Sequence, residues 1–191
     1  MTRIEMADAF AASSSNVFGS LHAYRVRGRG RSAVILWSGG RGDAPDQVVA
    51  LPAADRCGVP VFTTVRQARM YATRRGLRPA TAEANTLELK RVEHWLEDPV
   101  RRRVPAGPVL EAWNFFEDLA RGLHESNRLP RQSSVHNSAY EKLFADECAE
   151  WTPAEHDAVL ELVAAGLELW NSCPVITNPR SRAVVAGVPR S

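Results

Sequence analysis

Hydrophobic residues at helical spacing mark residues 109–123 (VLEAWNFFEDLARGL) as the segment around which the chain is organised. At 100° per residue, its apolar side chains fall within an arc of about 160°. The opposite face carries five polar residues: Glu111, Asn114, Glu117, Asp118 and Arg121. The pattern predicts a core helix that buries its apolar face and turns these five side chains towards water.

A second long helix is predicted from its start signal. The Thr-Pro-Ala-Glu run at residues 152–155 combines an N-cap threonine, a proline at the first helical position and a glutamate at the third. Apolar residues then recur at helical spacing to about residue 171, which predicts a helix that packs on the first one. Its polar face carries three acidic residues: Asp157, Glu161 and Glu168.

Three β-rich segments precede these helices. Residues 21–27 (LHAYRVR) alternate roughly, residues 32–37 (SAVILW) are nearly all apolar, and residues 47–51 (QVVAL) form the third segment. The connections between them are rich in glycine, which tolerates the positive φ angles of tight turns. An antiparallel meander is therefore predicted. Residues 59–63 (VPVFT) add a fourth strand, in which Pro60 must lie at a sheet edge or at the strand start.

Shorter helical segments are predicted between and after these elements. The run at residues 64–67 has capping-box spacing and begins a helix that ends at Gly76, and residues 88–97 form a second helix. Residues 124–135 are polar and are predicted to form a loop. A further capping box at residues 138–141 begins a short helix.

Together these elements predict the α+β class, with an N-terminal antiparallel sheet of three or four strands packed against C-terminal helices. A chain of 191 residues with 45% hydrophobic residues can bury one core, so we expect a single domain over residues 21–173. We expect a frayed start at residues 1–20 and a basic tail at residues 174–191. The chain begins without a signal-like apolar run and has no apolar run of membrane-spanning length, so we expect a cytoplasmic protein.

Charge is distributed unevenly along the chain. Residues 1–108 contain 17 Lys+Arg and 10 Asp+Glu, whereas residues 109–173 contain 4 and 12. The polar faces of the two long helices concentrate the acidic residues. This asymmetry favours an acidic surface for a basic partner, or a basic surface for nucleic acid.

Recognisable catalytic and metal-binding motifs are absent from the sequence. The five histidines lack the paired spacing of a helical metal site, and Cys57, Cys148 and Cys173 are too dispersed for a zinc motif. We therefore expect no metal ion, no cofactor and no catalytic residue. The alternative is a small enzyme or ligand-binding protein with a cleft between sheet and helices, with His124 and His136 at its rim.

A second alternative rests on four arginines at every other position: Arg25, Arg27, Arg29 and Arg31. Side chains at this spacing leave the same face of a strand, so they would form a basic strip. This strip, within residues 25–41, would make the protein a nucleic-acid-binding domain.

The layout also resembles a known group of proteins. The segments VPVFTTVRQARMYATRRGL, WLEDP, VLEAWNFFEDLARGL, YEKLF and WTPAEHDAVLELVAAGLELW follow one another within residues 21–170. This order is similar to that of small bacterial immunity proteins encoded beside polymorphic or contact-dependent toxins. The resemblance implies a non-catalytic protein that binds one toxin domain, often a nuclease, and covers its active site. It transfers no contact residues, because immunity surfaces differ with each toxin, and the basic N-terminal half departs from the pattern.

The leading hypothesis is therefore a protein-binding module that neutralises a bacterial toxin through a basic surface of that toxin. Its predicted contact face is the polar face of the first helix, formed by Glu111, Asn114, Glu117, Asp118 and Arg121.

Overall fold

Seven strands, five α-helices and two 3₁₀ helices (Ser126–Arg128 and Cys148–Glu150) form the regular structure of the described residues. The computed structural model describes residues 20–40, 42–53, 56–81 and 83–177. The strands are β1 (Leu21–Arg27), β2 (Ser32–Ser38), β3 (Gln47–Val48), β4 (Leu51–Ala53), β5 (Arg56–Pro60), β6 (Thr86–Leu87) and β7 (Val175–Ile176). The helices are α1 (Val65–Arg74), α2 (Leu89–Leu96), α3 (Ala106–Leu123), α4 (Ser134–Phe144) and α5 (Pro153–Ser172). Predictions about residues 1–19, Arg41 and residues 178–191 lie outside the described residues.

The first sheet confirms the predicted meander. Strand β1 pairs antiparallel with β2 from Leu21 opposite Ser38 to Arg27 opposite Ser32, and β3 pairs antiparallel with β2. On the other edge, β6 pairs with β1 in parallel, which gives the order β3-β2-β1-β6. The two residues of β6 are too few to show the alternation that identifies a strand in a sequence.

The strand predicted at residues 59–63 is wrong in its bounds, and only Phe62 of this segment pairs with the first sheet, through an antiparallel bridge to Val34 of β2. The observed β5 ends at Pro60 and is the central strand of a second sheet, in the order β4-β5-β7. Its antiparallel pairing with β4 ends at Leu51 opposite Gly58. Pro60 therefore lies beyond the last β4 pair, where its missing N–H costs no hydrogen bond of that ladder. The third predicted strand is also divided, because the chain leaves β3 after Val48 and joins the second sheet at Leu51.

Separate hydrophobic cores lie on the two faces of the first sheet. On one face, side chains of β1 and β2 pack against α1, and the cluster includes Leu36, Ala68 and Tyr71. On the other face, Val26 and Ile35 pack into a larger cluster that includes residues of α2, α3, α4 and α5. Helix α1 is thus separated from the other four helices by the sheet, and the α+β class predicted from the sequence is confirmed.

Local start and stop signals are confirmed for two helices. Thr64 caps α1 by accepting a hydrogen bond from the Gln67 amide, and Gly76 follows the helix with a φ of 72°. Thr152 and Glu155 form the full capping box of α5. Helix α4 begins at Ser134, inside the predicted loop, instead of at the capping box predicted for residues 138–141. A contact with another helix explains this difference. The Ser138 hydroxyl donates to Glu155 of α5 at 2.5 Å and does not cap its own helix.

Candidate partner-binding surface

The outward side of α5 carries an acidic stripe. Asp157, Glu161 and Glu168 are all exposed, and they fall within an arc of about 40° at 100° per residue. From the first to the third, the stripe extends about 16 Å along the helix at 1.5 Å per residue. These are the side chains that the sequence places on the polar face of this helix, and their exposure is confirmed.

Further carboxylates lie on α4 and on its connection to α5. Glu141, Asp146, Glu147 and Glu150 are exposed, and the last of these lies three residues before the start of α5. Residues 132–177 contain eight carboxylates and one basic residue, Lys142. We call the exposed members of this set the acidic surface: Glu141, Asp146, Glu147, Glu150, Asp157, Glu161 and Glu168.

The single lysine of this region is turned inward. Its Nζ donates to Glu155 Oε2 at 2.9 Å and to the Glu150 carbonyl oxygen at 3.0 Å. Glu155 is buried and also accepts hydrogen bonds from the Ser138 hydroxyl and the Thr152 amide. Hydrogen bonds from Ser138, Lys142 and the Thr152 backbone lower the pKa of Glu155 to about 2. The positive charge of Lys142 is therefore paired with buried Glu155. This lysine does not neutralise the exposed carboxylates of the acidic surface.

Within the described residues, the acidic surface has only weak internal ion pairs. Arg128 Nη2 lies 3.9 Å from Glu168 Oε1, and His156 Nδ1 lies 3.9 Å from Asp157 Oδ1, while both carboxylate side chains are about four-fifths exposed. Separations of this length between exposed groups contribute little. The carboxylates are available to an external partner.

A close contact between α3 and α5 fixes which side of α5 faces outward. A Cβ atom added to Gly166 would lie 2.1 Å from Cγ of Phe116, so this position admits only hydrogen. Phe116 is fully buried in the main core. Because Gly166 must face the Phe116 ring, the acidic stripe on the opposite side of α5 must face water.

Most side chains of the contact face predicted on α3 form hydrogen bonds or ion pairs within the protein. Glu111 is exposed, whereas Asn114 is half-buried and accepts a hydrogen bond from the Tyr140 hydroxyl at 3.1 Å. Glu117 is half-buried and accepts from the indole N–H of Trp113 at 2.9 Å. Of the five predicted contact residues, Glu111 alone is exposed.

The prediction that Asp118 faces water is wrong. This residue is 8% exposed, and its carboxylate accepts from the Trp37 indole N–H at 2.8 Å and pairs with Arg121. The half-buried Arg121 also donates to the Asp46 carbonyl oxygen. Burial raises the pKa of Asp118, while the hydrogen bond from Arg121 acts in the opposite direction.

Packing against β3 explains this burial. A Cβ atom added to Gly122, one turn after Asp118 on the same face of α3, would lie 2.0 Å from the Val48 carbonyl oxygen. The missing side chain allows β3 to approach the polar face of α3 and cover it. A helical period places polar residues together, but it does not show that a strand distant in the sequence lies over them.

Two arginines of the strip predicted to bind nucleic acid form ion pairs inside the protein. Arg27 pairs with Glu88 at 3.0 Å, and Arg29 forms an ion pair with Glu97. Hydrogen bonds from Arg29 and Arg102 lower the pKa of Glu97 to about 2. Arg27 and Arg29 therefore help to hold α2 against the end of β1.

Arg31 has a different internal role. Its guanidinium donates to the carbonyl oxygens of Trp170 at 2.7 Å, Asn171 at 3.0 Å and Cys173 at 3.2 Å, and it lies over the Trp170 ring. A cation at this place satisfies the last carbonyl groups of α5 and complements the negative end of the helix dipole. Of the four predicted arginines, Arg25 alone is exposed without an ion pair in the described part of the chain.

The two histidines proposed for a catalytic rim lie in different environments. His124 is exposed and ends α3 in the left-handed conformation, with a φ of 59°. His136 is buried, with its Nδ1 3.0 Å from the Ser133 hydroxyl and its ring edge-on to Trp113.

A groove of about 530 Å³ lies at the start of α3, between the α2–α3 connection and the end of α4. Its lining includes Arg91, Arg103, Leu110, Phe144 and Asp146, and neither of the two histidines. The histidine rim predicted for a cleft is therefore not formed at this groove. The ligand-binding alternative rests on the groove itself, which combines two arginines with an exposed phenylalanine.

The three cysteines occur as free thiols. Cys57 and Cys148 are half-buried and Cys173 is buried, where burial raises the pKa of its thiol. In the described ranges, no three His, Cys, Asp or Glu side chains gather as a metal-ligand set. Within the same ranges, none of the helices has both the length and the apolar character needed to span a bilayer.

Comparison of the chain with models of known families, with curated proteins and with solved structures found no match.

Proposed function

We propose that this protein is a non-catalytic binding module that docks a basic protein domain through the acidic surface of α4 and α5. The single observation that carries the proposal is the charge of that surface, where seven exposed carboxylates surround a helix whose neighbouring lysine is engaged by buried Glu155. Complementary potentials accelerate the encounter of two proteins and select between partners.

The proposed contact residues differ from those first predicted. The polar face of α3 has one exposed carboxylate, Glu111, whereas α5 presents Asp157, Glu161 and Glu168 in one stripe. The α5 stripe is absent from the lining of the groove at the start of α3, which favours macromolecular docking over the binding of a small substrate at this stripe. We therefore move the contact face from α3 to α5.

The immunity function is the more specific part of the proposal. We propose that the basic partner is a toxin domain and that binding covers the surface this toxin needs for its substrate. The layout resemblance to bacterial immunity proteins supports this assignment, as does the acidic surface, because nucleases bind their anionic substrates through basic surfaces. The free thiols agree with action in a reducing cytoplasm.

A protection experiment tests this function. The probe is the C-terminal domain of the protein encoded beside this gene, expressed in a bacterial host with or without the full chain. We expect the chain to restore growth, and we expect the variant Asp157→Asn, Glu161→Gln, Glu168→Gln to lose that protection.

The matched control removes three exposed carboxylates elsewhere: Asp43→Asn, Glu83→Gln and Glu111→Gln. We expect it to protect as well as the wild type. If the control variant alone loses protection, the contact face lies on α3 or on the side of the sheet and not on α5. Growth arrest that the wild-type chain does not relieve would reject the immunity function.

A further inference from the structure

Helix α1 forms a basic layer on the side of the first sheet opposite α5. Residues 56–81 contain six arginines and no aspartate or glutamate. Four of these arginines are exposed on or just after α1: Arg66, Arg74, Arg75 and Arg78.

Arg25 of β1 extends this layer. It lies directly opposite Val34 in the β1–β2 register, and the Val34 side chain belongs to the core beneath α1. Opposed residues in an antiparallel pair project from the same face of a sheet. Arg25 therefore projects from the face that α1 covers. We call Arg25, Arg66, Arg74, Arg75 and Arg78 the basic layer.

These arginines are unlike those at the end of β1. Arg27 and Arg29 pair with carboxylates of α2 and its flanks, whereas no member of the basic layer pairs with a carboxylate within the described ranges of the chain. The acidic surface lies beyond the sheet and the main core, so it does not neutralise the layer at short range.

One arginine of the layer is held in place by a ring. The Arg75 guanidinium lies over Tyr71, 5.1 Å from the ring centroid, and Tyr71 is buried against the sheet. Stacking of this kind limits the conformations of the side chain while its N–H groups stay available. A guanidinium can then bind a phosphate with two parallel hydrogen bonds.

We propose that the basic layer binds the phosphate backbone of a nucleic acid duplex. The ten residues of α1 are about 15 Å long, which is the axial length of about four phosphates on one strand. The exposed amide of Gln67 accompanies the arginines, whereas the Thr63, Thr64 and Thr73 hydroxyls form hydrogen bonds within the protein. Amide groups of this kind also contact the backbone of DNA and RNA.

A membrane fits this layer less well than a nucleic acid. Binding to a bilayer surface requires apolar side chains that enter the interface beside the basic ones. The large exposed hydrophobic residues of the described chain are Val100, Phe144 and Val175, and none of them belongs to α1 or to β1. The layer offers charge and hydrogen-bond donors without an apolar face.

Fluorescence anisotropy of a labelled 20-base-pair duplex, DNA and RNA in turn, tests the proposal with the full chain. Four phosphate contacts give a slope of about −3.6 in log K against log salt, or a loss of affinity of about 150-fold between 50 and 200 mM salt. The variant lacking four charges of the layer carries Arg66→Gln, Arg74→Gln, Arg75→Gln and Arg78→Gln. We expect it to bind at least tenfold more weakly than the wild type at 50 mM salt.

A control variant loses the same charge from exposed arginines elsewhere: Arg91→Gln, Arg101→Gln, Arg103→Gln and Arg131→Gln. We expect its affinity to stay within about threefold of the wild type. A wild-type slope shallower than −1, or equal losses in both variants, would overturn the proposal. Stronger binding to phosphatidylserine vesicles than to the duplex at equal salt would assign the layer to a membrane instead. If the first variant does not fold, the wild-type slope and Arg66→Gln with Arg78→Gln still decide the question.

Discussion

Replacement of Gly166 by alanine tests the packing on which the outward face of α5 depends. The new Cβ would lie 2.1 Å from Cγ and 2.2 Å from Cδ2 of Phe116, whereas ordinary contacts begin near 3.4 Å. The Phe116 ring must therefore move by more than 1 Å, and it is fully buried, so the strain is that of an overpacked core. Overpacking costs about 1–3 kcal/mol, which exceeds or offsets the gain of about 1 kcal/mol that alanine normally brings to a helix interior.

Gly107 provides the matched control. It lies in the first turn of α3, and a Cβ added there would meet no atom within 4 Å. We expect Gly107→Ala to raise the free energy of unfolding by about 0.5 kcal/mol and Gly166→Ala to lower it by about 0–2 kcal/mol. In a domain of this size, 1 kcal/mol corresponds to a shift in Tm of about 2–4 °C.

Urea unfolding followed by tryptophan fluorescence measures both variants, and an unchanged m value shows that the folded and unfolded states are comparable. If Gly166→Ala is as stabilising as Gly107→Ala, α5 does not pack against Phe116 at this residue. The close contact that orients the acidic stripe would then be absent.

Two further substitutions test the internal polar networks. Asp118→Ala leaves the half-buried Trp37 indole N–H and Arg121 without their acceptor, so we expect the free energy of unfolding in urea to fall by about 1–3 kcal/mol. We expect about 0.5 kcal/mol or less for exposed Glu111→Ala; equal effects would place Asp118 at the surface. The pKa of Glu155 is about 2 when folded, so its stabilising effect is present above its ordinary pKa of 4.5 and is lost as pH falls towards 2. The urea midpoint of Glu155→Gln should therefore fall less steeply between pH 4.5 and pH 2 than that of the wild type. The same dependence of the midpoint on pH in both proteins would contradict the network with Lys142.

Features determined by neighbouring residues could be predicted from the sequence. The capping box at Thr152 and the glycine stop at Gly76 follow from hydrogen bonds within four residues, and both are confirmed. The same holds for the β1–β2 hairpin, whose strands are joined by a short glycine-rich turn. The acidic stripe of α5 was predicted for a similar reason, because the 3.6-residue period assigns residues of one helix to faces.

Features determined by distant residues could not be predicted in this way. Ser138 and Glu141 have the spacing of a capping box, but Glu155 of another helix takes the serine hydroxyl. Asp118 has the position of a solvent-facing residue, but Trp37 from β2 reaches its carboxylate. The expectation that the polar face of α3 turns towards water was wrong for this physical reason.

The basic layer was missed because its arginines follow no simple period. They come from β1, from α1 and from the turn after it, and only the pairing of Arg25 with Val34 brings the strand residue to the same side as α1. The absence of acidic residues from positions 56–81 is the one signal in the sequence that could have indicated the basic layer.

The central claim is tested most directly by calorimetric titration of the purified chain with the partner domain whose toxicity it relieves in the protection experiment. At 150 mM salt we expect Asp157→Asn, Glu161→Gln, Glu168→Gln to weaken binding by about tenfold or more and to flatten its salt dependence, because three salt-sensitive attractions are removed. We expect the control triple variant at residues 43, 83 and 111 to bind within about twofold of the wild type. Equal affinity of the α5 variant and the wild type, with the same salt dependence, would contradict the assignment of the acidic surface as the docking face.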